Sequence, residues 1–345
     1  MDNLKNLHSE IFEIAKRLRS LNIVAYSGGK DSTSSLQLIL DAMETAIGFQ
    51  DRLLITTSDT LMEIPFYQEY VDKNRVTIEA YLKAKGMNAE LVTLTPKWEK
   101  SFWVCTLGKG YPSSHDKFKW CTQQLKIDPI NEFMKSISAV NADHMIFVGV
   151  RQAESARREK TYRMPDFMPN HYAPILYWDT QDVWTYLLTE PCPWGNHEDL
   201  VRVYKYASDE CVYGAEKNIC IGNARYGCWI CPLQKDTQLK LIGSALNDDR
   251  YFLLKKYKDA FQAMANNWTY RSCLRRDLHP GVGPFLVPVR RELYYKLKEL
   301  ERETGWRLIR TEEEELIFKH WEIDGDIHVN PNLDRPTLFP WQGAI

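Results

Sequence analysis

No stretch of the chain approaches the roughly 20 consecutive apolar residues that a membrane-spanning helix needs. The opening residues, Met1-Asp2-Asn3-Leu4-Lys5, mix charges and carry no signal-peptide hydrophobic stretch. A cytoplasmic chain with no membrane partner is therefore expected. An excess of one charge is also lacking, with 44 Lys and Arg against 46 Asp and Glu. No global field then draws the chain to nucleic acid or to an anionic membrane, although a local basic strip would suffice for a DNA or RNA substrate. Arg271, Arg275, Arg276, Arg290 and Arg291 form a candidate strip, whose plainer reading is a solvated surface. Eight cysteines are too few to staple 345 residues with disulfides, so their spacing matters more than their number. There are no internal repeats and no low-complexity tract.

What is present is 44 % hydrophobic residues, enough for a sizeable core in one large domain or two. Residues 4 to 20 place Leu4, Leu7, Ile11, Ile14, Ala15 and Leu18 at helical spacing. A short strand follows at 22–26, then a polar turn, then Leu36, Ile39, Leu40, Met43 and Ile47 on one helical face. The alternation continues with strands at 52–57, 90–94 and 144–150 and helices at about 63–85 and 122–139. This pattern predicts an α/β fold whose mostly parallel sheet is covered on both faces. Ligands of such sheets sit beyond the carboxyl ends of the strands, where Ser27, Asp59 and Arg151 each fall.

From 191 to 235 the texture changes: prolines and glycines punctuate a stretch that holds five of the eight cysteines. It reads as an irregular insert held by something other than a core. Residues 236 to 325 read as largely helical. The expected organisation is a nucleotide domain at 1–190, a cysteine-rich segment at 191–235 and a mainly helical region at 236–345.

Ser27-Gly28-Gly29-Lys30-Asp31-Ser32 lies between the first strand and its helix. Glycines let the backbone turn sharply and approach a ligand, and the N–H groups of a helix start favour an anion. Ser27, Ser32 and Thr33 add hydroxyls and Lys30 adds charge, while Asp31 suits either Mg²⁺ or a helix cap. The plain alternative is a Gly-Gly turn with a Ser/Asp cap. The spacing is not that of the Walker loop. Arg151 offers a planar fork to phosphate oxygens, or else an ion pair with Glu154 or Asp143. Asp59 either orients a nucleotide or Mg²⁺ or caps a helix before Glu63. Arg157 and Arg158 suit a second polyanion or plain surface.

Cys228-Trp229-Ile230-Cys231-Pro232 is a chelating step, with Cys220 eight residues upstream. Iron–sulfur, zinc and unrelated buried thiols all remain open, and Cys211 and Cys121 both remain candidates for a fourth ligand.

The loop resembles the Ser-Gly-Gly-x-Asp-Ser loop of the PP-loop ATP pyrophosphatases, an adenine nucleotide α-hydrolase-like fold. Further stretches extend the likeness: Lys119-Trp120-Cys121-Thr122 to Lys126, Gly149-Val150-Arg151-Gln152-Ala153-Glu154-Ser155 to Arg158, Ala173-Pro174-Ile175 with Trp178, Asp182-Val183-Trp184, and Tyr226 to Cys231. Over about residues 20 to 240 the chain is similar to the phosphoadenosine phosphosulfate reductase-related branch, and within it to the ATP pyrophosphatases of bacterial DNA phosphorothioate modification. That resemblance implies Mg·ATP bound by Tyr26, Ser27, Gly28, Gly29, Lys30, Asp31, Ser32, Asp59 and Arg151, with Lys30, Asp31 and Arg151 as catalytic residues. It implies a [4Fe–4S] cluster on Cys121, Cys220, Cys228 and Cys231, with zinc as the alternative. It implies DNA as substrate, a cysteine desulfurase as sulfur donor and other phosphorothioation proteins as partners. Competing expectations are a phosphosulfate reductase, which uses a C-terminal cysteine tail where this chain's last cysteine is Cys273, a tRNA thiolase, or a nucleotide-gated sensor without turnover.

Overall fold

The computed structural model describes residues 7–46, 51–114, 119–140, 143–152, 170–207, 227–233 and 237–324. After helix α1 (Leu7–Ala15) come β1 (Leu21–Ala25), α2 (Lys30–Thr45), β2 (Arg52–Ser58), α3 (Pro65–Ala84) and β3 (Ala89–Leu94). A short turn α4 (Trp120–Thr122) and a π-helical turn lead into α5 (Asp128–Val140), then β4 (His144–Val148) and β5 (His171–Tyr172). Helices α6 (Thr180–Thr189), α7 (Glu198–Ala207), α8 (Gln238–Leu246), α9 (Arg250–Asn266), α10 (Val287–Thr304) and α11 (Thr311–Asp324) follow.

All pairings in the sheet are parallel, in the order β3-β2-β1-β4-β5. The chain winds outward from β1 in one direction and from β4 in the other. The crevice between the carboxyl ends of β1 and β4 is therefore the topological switch point, the place where such sheets take their ligands. Alternation along the strands decides which side chains go to which face. Leu21 and Ile23 of β1 join Leu54 and Ile146 under Ile137 of α5. Val24, Ile55 and Phe147 enter the larger core on the other face with Leu36, Ile39, Leu40 and Met43 of α2. Fully burying side chains of this size stabilises the fold by roughly 1.5–3 kcal/mol apiece.

The sheet and the later helices share that larger core, which includes Phe261, Leu293, Leu297 and Ile317. The segment after β3 is the seam. Trp103 Nε1 donates to the Leu308 carbonyl at 2.7 Å and Trp321 Nε1 to the Leu107 carbonyl at 2.7 Å. Arg290, expected on a surface strip, is fully buried: it donates to the carbonyls of Phe285 and Gly108 and pairs with Asp324 at 2.5 Å. An unpartnered buried guanidinium would be costly, so this arginine belongs to the packing. The stretch from 191 is less irregular than its prolines and glycines suggest. It contains α7, whose Leu200, Val203 and Tyr204 enter the main core, as do Trp229 and Ile230. Among the described residues no helix is long and apolar enough to cross a membrane.

Candidate functional site: the phosphate loop at the switch point

The loop after β1 is held from behind by two tyrosines of α3. Tyr67 Oη donates to the Ser27 carbonyl at 2.5 Å and Tyr70 Oη to the Gly28 carbonyl at 3.0 Å. In a planar trans peptide the C=O and N–H point opposite ways. Fixing these two carbonyls toward α3 therefore turns the N–H groups of Gly28 and Gly29 away from it. Gly28 has φ of +77°, and a Cβ there would lie 3.0 Å from Val71 Cγ2, so both conformation and space call for glycine. Ser32 Oγ closes the loop by accepting from Ser27 N at 3.1 Å and donating to the Gly29 carbonyl at 2.9 Å.

Helix α2 starts at Lys30, and its N-cap, Gly29, supplies no side-chain cap. The first N–H groups of a helix have no intrahelical acceptor, and the dipole makes that end attractive to anions. The Lys30 amide donates to Tyr204 Oη at 3.2 Å, and the Lys30 ammonium lies 5.0 Å from the centre of the same ring. Asp31 does not cap the helix. Its carboxylate takes Arg151 Nε at 2.6 Å and lies 3.6 Å from Lys30 Nζ, so it positions two buried cations beside the loop.

Arg151 reaches Asp31 because Gly149 lets the chain after β4 press on the first turn of α2. A Cβ at Gly149 would lie 2.8 Å from Asp31 O and from Ser32 N, backbone atoms that cannot step aside. Thr180 Oγ1, at the start of α6, takes Arg151 Nη1 at 3.2 Å. The α6 terminus is itself fixed by a capping box between Asp179 and Asp182. The reductase-like stretch around Trp178 and Asp182 thus serves the site by holding an arginine. Of the ion-pair alternatives for Arg151, Asp143 instead faces Arg19 at 3.6 Å, and Glu154 lies outside the described residues, as do Arg157 and Arg158.

Two expected nucleotide residues sit behind or beside the loop. Tyr26 is buried, its amide donating to the Thr56 carbonyl and its hydroxyl accepting from Asn74 Nδ2 at 2.9 Å. Burial pushes its phenol up to about 12. Asp59 follows β2 and takes the Leu61 amide at 2.7 Å, which closes a turn rather than starting a helix, since α3 begins at Pro65.

The same turn carries Glu63, which takes Thr60 Oγ1 at 2.7 Å and the amides of Thr60 and Met62. Its carboxyl is pushed up to about 7, first by burial and then by Asp59. The Cys228 segment docks here: Glu63 and Cys228 form an antiparallel bridge, and the Trp229 amide donates to the Met62 carbonyl at 2.9 Å. Cys228 Sγ lies 3.4 Å from Thr60 Oγ1, and burial, seconded by Glu63, pushes its thiol up to about 12. Cys231 closes a turn on the Cys228 carbonyl at 3.0 Å, while Cys121 Sγ accepts from Ser114 Oγ at 3.0 Å. Cys220 and Cys211 lie outside the described residues. Among the described residues no three His, Cys, Asp or Glu side chains gather as a metal would require.

Sequence reasoning missed Tyr67, Tyr70, Tyr204 and Thr180, and named Gly149 only as part of a matching stretch. A signal existed for the first two, which stand three residues apart on one face of α3. Nothing local marks Tyr204, which arrives from 174 positions away.

A curated relative, an uncharacterized protein of Methanocaldococcus jannaschii, is 26 % identical over 231 residues, covering 66 % of this chain and 39 % of the relative. The chain thus spans about two-fifths of that relative's length. Among solved structures, Candida glabrata FMN adenylyltransferase is 14 % identical with a TM-score of 0.33, covering 59 % of this chain and 60 % of that one. A phosphate complex of phosphoadenylyl-sulfate reductase from Candida auris is 17 % identical with a TM-score of 0.31, covering 52 % of this chain and 78 % of that one. The family model described as the phosphoadenosine phosphosulfate reductase domain matches residues 22–197, from β1 to the segment that precedes α7. That match takes in the phosphate loop, Arg151 and Thr180 and just over half of the 345 residues, and the chain belongs to the phosphoadenosine phosphosulfate reductase domain family.

Proposed function

We propose that the chain is an ATP pyrophosphatase that adenylates a DNA backbone phosphate and so prepares it for sulfur incorporation. The observation that carries this reading is the loop itself. Its carbonyls are drawn back by Tyr67 and Tyr70, its outward amides sit at an uncapped helix start, and Asp31 aims Arg151 and Lys30 at the same crevice.

Mg·ATP enters as substrate, with its phosphates over Ser27 to Ser32. A non-bridging oxygen of the DNA phosphodiester attacks the α phosphorus. The bond from that phosphorus to the α–β bridging oxygen breaks, and pyrophosphate leaves with the electron pair. Amide N–H groups, Lys30 and Arg151 stabilise the charge gathered on the departing group, the main catalytic contribution in phosphoryl chemistry. The terminal sulfur of a cysteine desulfurase persulfide then attacks the activated DNA phosphorus and expels AMP with the activated oxygen. A thiol reductant cleaves the remaining S–S bond to leave the phosphorothioate, and both steps are assigned to the partner and to other phosphorothioation proteins.

The test follows label from ATP carrying a radioactive α phosphate, in the presence of a DNA oligonucleotide. AMP attached to the DNA supports the full reading. Label in free AMP with none on DNA keeps the pyrophosphatase and removes DNA as acceptor, and label in ADP contradicts both.

A further inference from the structure

Away from the phosphate loop, a cavity of about 710 Å³ opens between residues 110–114, the loop at Pro232 and Leu233, the end of α9 and the segment 271–284. That volume is in the range of small-ligand and nucleotide sites. Its lining includes Arg271, Arg275 and Arg276 and, among the described residues, no acidic residue.

The arginines ride on a braced hairpin. Arg271 bridges Phe285 and Leu274 bridges Pro280, both antiparallel. Arg271 and Arg276 spend their guanidinium groups on the scaffold, the first on the Gly283 carbonyl and the second on the Lys109 carbonyl and Asp324. Arg275 differs. It is exposed, its Nε would lie 2.7 Å from a Cβ placed on Gly281, and its guanidinium has no acceptor among the described residues. Two further polar atoms on the lining are buried without a partner among those residues, Gln262 Nε2 and Ser113 Oγ. Buried polar atoms are rarely left so in native proteins.

We propose that this cavity binds a phosphodiester of nucleic acid, with Arg275 as its principal phosphate contact. A guanidinium fork matches two phosphate oxygens, and among the described residues the lining offers no carboxylate to repel the anion. The cavity also lies against both thiol-bearing segments: Ser114 holds Cys121, and Pro232 follows Cys231. A strand seated here is placed beside those thiols. The inference rests on the reading that DNA is the acceptor, and gives it a seat.

The test is fluorescence anisotropy of the full chain with a labelled DNA duplex over a series of salt concentrations. Arg275→Gln is expected to weaken binding about five- to tenfold and to lower the magnitude of the salt slope by about 0.9, one phosphate's share. Asn266→Glu, an exposed substitution on the lining, is expected to weaken binding similarly, while Arg275→Lys keeps most of it. Circular dichroism confirms that each variant is folded. If the parent protein binds DNA and both weakening variants bind equally well, the cavity assignment is overturned while DNA as acceptor stands. If the parent protein binds no DNA at low salt, the cavity assignment and the DNA acceptor fall together, and ATP cleavage stands apart.

Discussion

The phosphate loop and the Cys228 segment meet the carboxyl end of one sheet, yet they are built in opposite ways. The loop is six consecutive residues whose chemistry lies mostly in the backbone, and distant side chains only brace it. The cysteine segment draws its meaning from residues more than a hundred positions apart, and its described thiols are held in separate hydrogen bonds. The difference teaches that a contiguous backbone site declares itself in sequence, whereas a constellation of side chains declares only its members.

That contrast can be broken or sharpened by substitution. The largest expected effect is at Gly149, where alanine would force backbone atoms apart by several tenths of an ångström. Overpacking of this kind costs about 1–3 kcal/mol of stability. Displacement of Arg151 should lower pyrophosphate release about 100-fold, measured at saturating ATP. Next is Arg151→Lys, which keeps the charge but loses the fork shared by Asp31 and Thr180. A fall of about 10- to 30-fold in kcat/KM is expected, equal to about 1.4–2 kcal/mol of transition-state stabilisation.

Tyr67→Phe leaves the Ser27 carbonyl without its donor, and Tyr70→Phe does the same to Gly28. Each should raise the KM for ATP about fivefold, the worth of one hydrogen bond of about 1 kcal/mol. Equal KM values for parent and double variant would mean that the tyrosines do not shape the loop.

The helix that starts at the loop also carries a pH-sensitive contact. His197 Nε2 lies 3.0 Å from Gln37 Oε1 of α2, and burial lowers the imidazole from 6.5 to about 4. The folded state therefore binds this proton less readily than the unfolded chain, so stability is full above about pH 6.5 and falls as pH drops toward 4. Between pH 7 and 5.5 the loss is about 1 kcal/mol, and His197→Gln should flatten that part of the stability profile in chemical denaturation. The smallest effect is expected on the other side of the comparison. Cys231→Ser should alter pyrophosphate release less than twofold, and a large loss would tie the cysteine segment to the ATP step.

Much of the fold was legible because β1, β2 and β4 are buried over most of their length and read as short apolar runs, and because apolar positions recur at helical spacing along α2 and α3. Each sheet strand from β1 to β4 falls within two residues of its expected place. Helix α7 escaped notice because Pro191, Pro193 and Gly195 signal irregularity just before it, while its own apolar face of Leu200, Val203 and Tyr204 is short. Arg290 looked like surface because sequence cannot show that Asp324 and two carbonyls will surround it. Asp31 was recognised, but its work as the anchor of Arg151 depends on a contact across 120 positions.

The most direct test of the central claim is the identity of the products formed from ATP by the purified protein, beside a Ser32→Ala variant of confirmed fold. AMP and pyrophosphate, lost in the variant along with the Ser32 bonds to Ser27 and Gly29, are predicted. ADP and phosphate, or pyrophosphate release that survives the substitution unchanged, would contradict the account.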